Sequence, residues 1–208
     1  MKIEIENVLP EDIEKRSFEL IEEELKVELD LKQKPIIKRV IHTTADFDYV
    51  DNLCFSPDVV DKAIEAIKNG AIFVTDTNMG KAGINKKALE RFGNEVYCFM
   101  ADDDVAINAK AQGITRAVAS MNKAAMLDNK IIFAIGNAPT ALIRLYELIS
   151  EGKIQPELII GVPVGFVNVI ESKELIMRSS IPYIVARGRK GGSNVAASIC
   201  NALLYMIK

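Results

Sequence analysis

The chain holds a single histidine, His42, in the stretch Arg39-Val40-Ile41-His42. Imidazole is the one side chain whose unperturbed pKa lets it give and take a proton near neutrality. Proton chemistry in this chain therefore points first to His42. Arg39 lies three residues earlier, a spacing that on a helix puts guanidinium and imidazole on one face. Such a pair would keep a bound anionic group beside a proton donor. The competing reading is a histidine satisfied inside the fold, and other stretches must decide between the two.

The strongest of these is Arg187-Gly188-Arg189-Lys190-Gly191-Gly192-Ser193, which follows the apolar run Tyr183-Ile184-Val185 and precedes a helical stretch. Free N–H groups at a helix start, the helix dipole and guanidinium forks together make an anion site. Its alternative is a basic turn with Ser193 as an ordinary helix cap. Neither GxxxxGK[ST] nor GxGxxG occurs, so a P-loop and a dinucleotide cofactor are not supported. Gly136-Asn137-Ala138-Pro139-Thr140 offers an amide, a hydroxyl and a helix start, and reads equally as a plain connection. Gly161-Val162-Pro163-Val164-Gly165 allows close backbone approach to something flat or large. Arg116 stands near the start of a further helical stretch, a cation without an assigned partner. Ser17 sits on the apolar stripe of the first helix, either bonding back to a carbonyl four residues earlier or offered to a ligand. Asp102-Asp103-Asp104 reads as a solvated turn or cap, with a metal site as the lesser alternative.

Composition narrows the classes. The chain has 208 residues, 49% apolar and 26% charged, with a net charge of −3. That length fits one domain spanning residues 1–208, and the charge shows no nucleic-acid footprint. No apolar run approaches the roughly 20 residues of a membrane span. The opening Met1-Lys2-Ile3-Glu4-Ile5-Glu6 alternates charge and lacks the apolar core of a signal peptide. Cys54, Cys98 and Cys200 are widely spaced and odd in number, so neither a disulfide frame nor a zinc site is indicated. One histidine excludes a His-rich metal site. A reduced, cytoplasmic protein without bound metal is expected.

The elements that must position these residues follow from periodicity. Apolar positions at helical spacing predict a first helix over residues 11–29 and a second from Pro35 to near Asp46. Phe47 to Phe55 reads as loop or edge strand. Ser56-Pro57-Asp58 predicts a capped helix start, and Asn69-Gly70 its end. Five short apolar runs then alternate with helices: 71–74, 96–99, 130–135, 158–162 and 183–185. This is the pattern of βαβ crossovers and predicts an α/β, doubly wound, mostly parallel five-stranded sheet carrying an N-terminal helical appendage. Ligands of such sheets bind beyond the carboxyl ends of the strands, and four of the polar, glycine-bearing loops lie there. His42 lies in the appendage.

Taken together, Arg39-x-x-His42, Gly-Asn-Ala-Pro-Thr-Ala-Leu at 136–142, Gly-x-Pro-Val-Gly-Phe-Val at 161–167 with Glu171-Ser172-Lys173, and Gly-Arg-x-Gly-Gly-Ser at 188–193 resemble the precorrin-8X methylmutase family of cobalamin biosynthesis. The resemblance runs from Arg16-Ser17-Phe18 to the last helix. It implies a flavodoxin-like fold, a homodimer with sites near the subunit interface, and migration of a methyl group between adjacent ring C carbons of a polycarboxylate tetrapyrrole. It implies no cofactor and no external methyl donor. On the resemblance, His42 takes the acid–base role and Ser17 and Arg39 fall on substrate-contacting positions. The bottom-up reading agrees: many carboxylates need distributed cations, which Arg39, Arg116, Arg187, Arg189 and Lys190 could supply. Asn137, Thr140, Gly191, Gly192 and Ser193 complete the expected substrate-binding set. A non-catalytic binder of a corrinoid or other anion, and an enzyme cradling phosphate on Gly191-Gly192-Ser193, are the competing functions.

Overall fold

The computed structural model describes residues 5–207. The charge-alternating start of the chain lies, apart from Ile5 and Glu6, outside the described residues. Five parallel strands form the frame: β2 (Ile72–Thr75), β3 (Val96–Tyr97), β4 (Ile131–Ile135), β5 (Leu158–Gly161) and β6 (Tyr183–Ala186). A sixth, β1 (Leu53–Phe55), pairs antiparallel with β6 at the edge. The strand order is β1-β6-β5-β4-β2-β3. Without β1 this is the flavodoxin-type order, in which the chain steps from β2 outward to β3 and then back past β2 to β4. The topological switch point therefore lies between β2 and β4.

The sheet has six strands where five were expected. Leu53-Cys54-Phe55 is too short to carry a periodicity of its own; it becomes a strand by pairing with β6, whose edge would otherwise be open. The same pairing overturns the expected cap at Ser56. Its hydroxyl accepts from the Tyr183 amide at 2.9 Å and its own amide donates to the Tyr183 carbonyl at 3.0 Å. Helix α4 (Val59–Lys68) starts instead after Asp58, held at φ +56°, without a side-chain cap.

Alternate strand residues serve two cores, as a pleat requires. Phe73, Ile132, Leu158, Ile160 and Ile184 face one core. Its helices are α2 (Lys34–Thr44), α4 and α11 (Ser193–Met206). Ile72, Val74, Phe133, Ile159 and Val185 face the other. That side is covered by α7 (Asp103–Gln112), α8 (Arg116–Ala124), α9 (Pro139–Ser150) and α10 (Val169–Arg178). With both faces covered, the strands read as unbroken apolar runs. Helix α11 is the central piece: it packs on the sheet, on α4, on α2 and on α5 (Asn78–Gly83).

The N-terminal helix α1 (Ile13–Glu24) is shorter than the predicted 11–29, because Leu25 turns to extended backbone while Leu25 and Leu29 still pack on the core. Helix α2 presents Ile36, Ile37, Val40 and Ile41 to α11 and ends where Ala45 adopts φ +52°. A short helix α3 (Tyr49–Asn52) then leads into β1. The remaining helix, α6 (Lys86–Glu90), follows α5.

Candidate active site

With four isoleucines and valines committed to α11, the helical period turns Lys38, Arg39 and His42 away from the core and toward α1. His42 is exposed, and its ring stacks on Phe18 of α1 with centroids 5.2 Å apart and planes 18° apart. Arg39 reaches the same ring, its guanidinium 4.7 Å from the Phe18 centroid and 5.2 Å from that of Tyr205 on α11. Lys38 is a third neighbour of Phe18 at 5.5 Å. Phe18, Lys34, Lys38, Arg39 and Tyr205 line a concavity of about 390 Å3. His42 flanks its Phe18 wall. The carboxylates of α1 neutralise these cations: Glu14 pairs with Arg39, and Glu22 with both Lys34 and Lys38. Hydrogen bonds from Lys34 and Lys38 hold the Glu22 carboxyl below its ordinary range. Ser17 donates to the Ile13 carbonyl at 2.8 Å, the back-bond weighed as one of its two readings.

The basic loop after β6 reaches the same region. Lys190 binds Asp46 at 2.6 Å and Asp48 at 2.5 Å, just beyond the end of α2. Those bonds raise the Lys190 amine above its usual value and lower the Asp46 carboxyl. Lys190 is therefore a tie between the loop and the His42 helix, with its charge already compensated. Arg187 is exposed and pairs with Glu174 at 3.4 Å. Arg189 is exposed and lies 5.4 Å from the ring of Phe166, itself 81% exposed on the loop after β5. Behind the loop, the amine of Lys173 donates to the carbonyls of Gly188 at 2.7 Å and Lys190 at 2.9 Å. Lys173 is 1% exposed, and burial pushes its amine down to about 8.

Gly191 and Gly192 permit a close crossing. A Cβ at Gly191 would stand 2.0 Å from the Val162 carbonyl oxygen, and the Gly192 amide donates to that same oxygen at 2.9 Å. Gly192 holds the cap position of α11, and Ser193 bonds Thr77 at 2.7 Å between hydroxyls rather than capping its own helix. Gly136 is also pressed close, since a Cβ there would meet the Ser193 Cα at 2.6 Å.

The switch point is occupied by a residue to which sequence reasoning assigned no role. Asp76, 1% exposed after β2, accepts from the amides of Gly136, Asn137 and Ala138 at 2.9, 2.8 and 2.6 Å. It is an internal anion at the N-terminus of α9. Burial pushes its carboxyl up, against the three donors that pull it down. The amides of Gly136, Asn137 and Ala138 are thus spent, and the exposed Asn137 side chain is free of that contact. The Thr140 hydroxyl lies 3.2 Å from that of Thr115, beside Arg116, which is exposed and forms no ion pair among the described residues. An aspartate directly after a buried strand at the switch point was the available signal for Asp76.

Two groups therefore emerge. Arg39, His42 and Ser17 share the α1–α2 face; Asn137, Thr140, Arg116, Arg187, Arg189 and Gly191–Ser193 sit at strand ends and helix starts on the sheet rim. Lys190 joins them. Asp102 and Asp104 pair with Lys123. No cluster of metal-ligating side chains occurs among the described residues. Cys54, Cys98 and Cys200 are unpaired, and burial pushes the Cys200 thiol up.

Comparisons with known proteins identify the family that the chain resembles as a whole. A family model described as precorrin-8X methylmutase matches residues 12–206. The cobalt-precorrin-8 methylmutase of Priestia megaterium is 45% identical over 197 residues, 94% of this chain and 88% of that protein. That of Salmonella typhimurium is 45% identical over 206 residues, 96% of each chain. The crystal structure of precorrin-8X methyl mutase from Thermus thermophilus superposes with a TM-score of 0.86 at 37% identity, covering 94% of this chain and 96% of that one.

Proposed function

The chain belongs to the precorrin-8X methylmutase family, and from that premise we propose that His42 is its acid–base group and that Arg39 with the rim cations binds the carboxylates of the tetrapyrrole. As a methylmutase of corrin biosynthesis the protein is an isomerase. A methyl group moves between adjacent carbons of ring C, and the substrate itself supplies it. The observation that carries the role of His42 is its placement. The one imidazole of the chain is exposed on the same helix face as Arg39, beside a concavity with three cations in its wall. A methyl shift rearranges the double bonds of the macrocycle, which protonation eases. General acid assistance is worth roughly a hundred- to ten-thousandfold, and positioning supplies the remainder.

Of the rim residues, Arg116, Arg187 and Arg189 are exposed and present charge to a large anion, while Lys190 does so only by leaving Asp46 and Asp48. Asn137, Thr140 and the Gly191-Gly192-Ser193 turn complete the proposed binding set at the sheet rim. Ser17 borders the site through α1. The substrate is cobalt-precorrin-8, supported by the names of the two relatives at 45% identity; the cobalt belongs to that substrate. A homodimer is supported by the exposed apolar residues Val164, Phe166 and Val167 beside Arg189. A cytoplasmic location is supported by three unpaired thiols. No helix among the described residues is long and apolar enough to cross a membrane.

The test is an absorption time course with cobalt-precorrin-8 and with precorrin-8X, since the rearrangement alters conjugation. Wild type converts one of them, and His42→Ala binds product but turns over at least a hundredfold more slowly. Arg39→Ala raises KM. Normal turnover by His42→Ala refutes the acid–base role.

A further inference from the structure

The ring of Phe18 is the common neighbour of the groups at this site. His42 stacks on it at 5.2 Å, Arg39 lies over it at 4.7 Å and Lys38 at 5.5 Å. His42 is exposed and stands on the last turn of α2, and its imidazole makes no hydrogen bond among the described residues. A histidine that serves as an acid usually has its ring oriented by a hydrogen bond from the other nitrogen. Here the contact that orients it is the face of Phe18. The two residues come from different helices, and α1 carries no other aromatic residue.

We propose that Phe18 is a positioning residue of the methylmutase reaction, the platform that holds the His42 imidazole in its productive orientation and keeps Arg39 beside it. The inference rests on His42 being the acid. An unrestrained, exposed imidazole on a helix spreads over roughly two staggered χ1 wells, the third clashing with the preceding turn, and a broad, roughly two-fold χ2, so about one orientation in four points its nitrogen correctly. Stacking removes the others before substrate arrives. Offset ring pairs prefer centroid separations of about 4.5–7 Å, and a guanidinium within about 6 Å of a ring is attracted to its face. Both distances here fall inside those ranges. Arg39 is gripped on its other side by Tyr205, so loss of the Phe18 ring frees His42 more than Arg39. The effect is therefore concentrated in kcat.

The experiment compares wild type, Phe18→Leu, Phe18→Tyr and His42→Ala by kcat and KM, with proton–carbon NMR of the imidazole. One histidine per chain makes its two ring C–H signals unambiguous. In wild type those signals are displaced by the ring current of Phe18 and show cross-relaxation to its protons. Phe18→Leu keeps apolar bulk, loses the displacement and lowers kcat by about fourfold, with KM changed less than twofold. Phe18→Tyr restores both the displacement and kcat. The proposal falls if kcat of Phe18→Leu is unchanged while the signals move, or if kcat drops while they stay. It also falls, without any variant, if the wild-type imidazole signals sit at solvent-exposed positions with no contact to Phe18. Normal turnover by His42→Ala would instead remove the underlying reading.

Discussion

Lys173→Met tests how the basic loop is held. The wild-type amine is 1% exposed and its value falls from 10.5 to about 8 through burial. Each unit of that shift is worth about 1.36 kcal/mol, so carrying the charge inside the fold costs about 3 kcal/mol at neutral pH. The folded value is the lower one. Below about 8 both states hold the proton and the full cost is present. Between about 8 and 10.5 the unfolded chain binds more protons, so stability rises with pH and the cost disappears. Methionine removes this cost at every pH but leaves the Gly188 and Lys190 carbonyls without their donor, a loss of about 1–3 kcal/mol for each buried group. Near pH 7 the two effects offset, and wild type and variant should differ in unfolding free energy by less than about 2 kcal/mol. The gap should then move in favour of wild type by about 3 kcal/mol as pH rises from 8 to 10.5. Urea unfolding followed by far-ultraviolet circular dichroism measures it; the chain has no tryptophan to report by fluorescence. A gap that is constant with pH, or that moves in favour of the variant, refutes the reasoning. In the same variant the loosened loop should raise KM, because Arg187 and Arg189 lose their fixed base.

Two further outcomes follow from the ion pairs. Glu14 is 56% exposed, and its bond to Arg39 is of the surface class, worth about 0–1 kcal/mol. Glu14→Gln should therefore leave the melting temperature nearly unchanged and lower KM by up to about fivefold, because Glu14 no longer competes with the substrate carboxylate for Arg39; a raised KM in a steady-state assay would refute that competition. Asp76→Ala strips three amides of their acceptor and should cost about 3 kcal/mol. In a chain of this length that lowers the melting temperature by about 6–12 °C. A thermal melt within two degrees of wild type would show that water replaces the carboxylate.

Much of the frame was legible beforehand because it is local. The runs at 71–74, 130–135, 158–162 and 183–185 are apolar on both faces, and a buried parallel strand needs no partner to be recognised by that pattern. The apolar stripe of α2 made its helix visible and placed Arg39 and His42 on one face. The glycine-rich turn before α11 was visible as a strand-to-helix crossing, although its glycines serve backbone approach to Val162. Periodicity left Phe47–Phe55 open between loop and edge strand, since three residues define no period; pairing with the β6 edge makes Leu53–Phe55 a strand.

What tertiary structure alone decided is the state of each charge. Lys190 and Asp46 are 144 residues apart, and Thr77 and Ser193 are 116 apart. Such pairings depend on which strands become neighbours, and no window of sequence contains both partners. The same holds for Asp76, whose carboxylate fills the helix start that Gly136–Thr140, sixty residues away, offers to an anion. It holds again for Phe18, an ordinary apolar residue of α1 until α2 packs beside it. Residue types determined which chemistry was available here; the packing of distant segments determined which groups remain free to perform it.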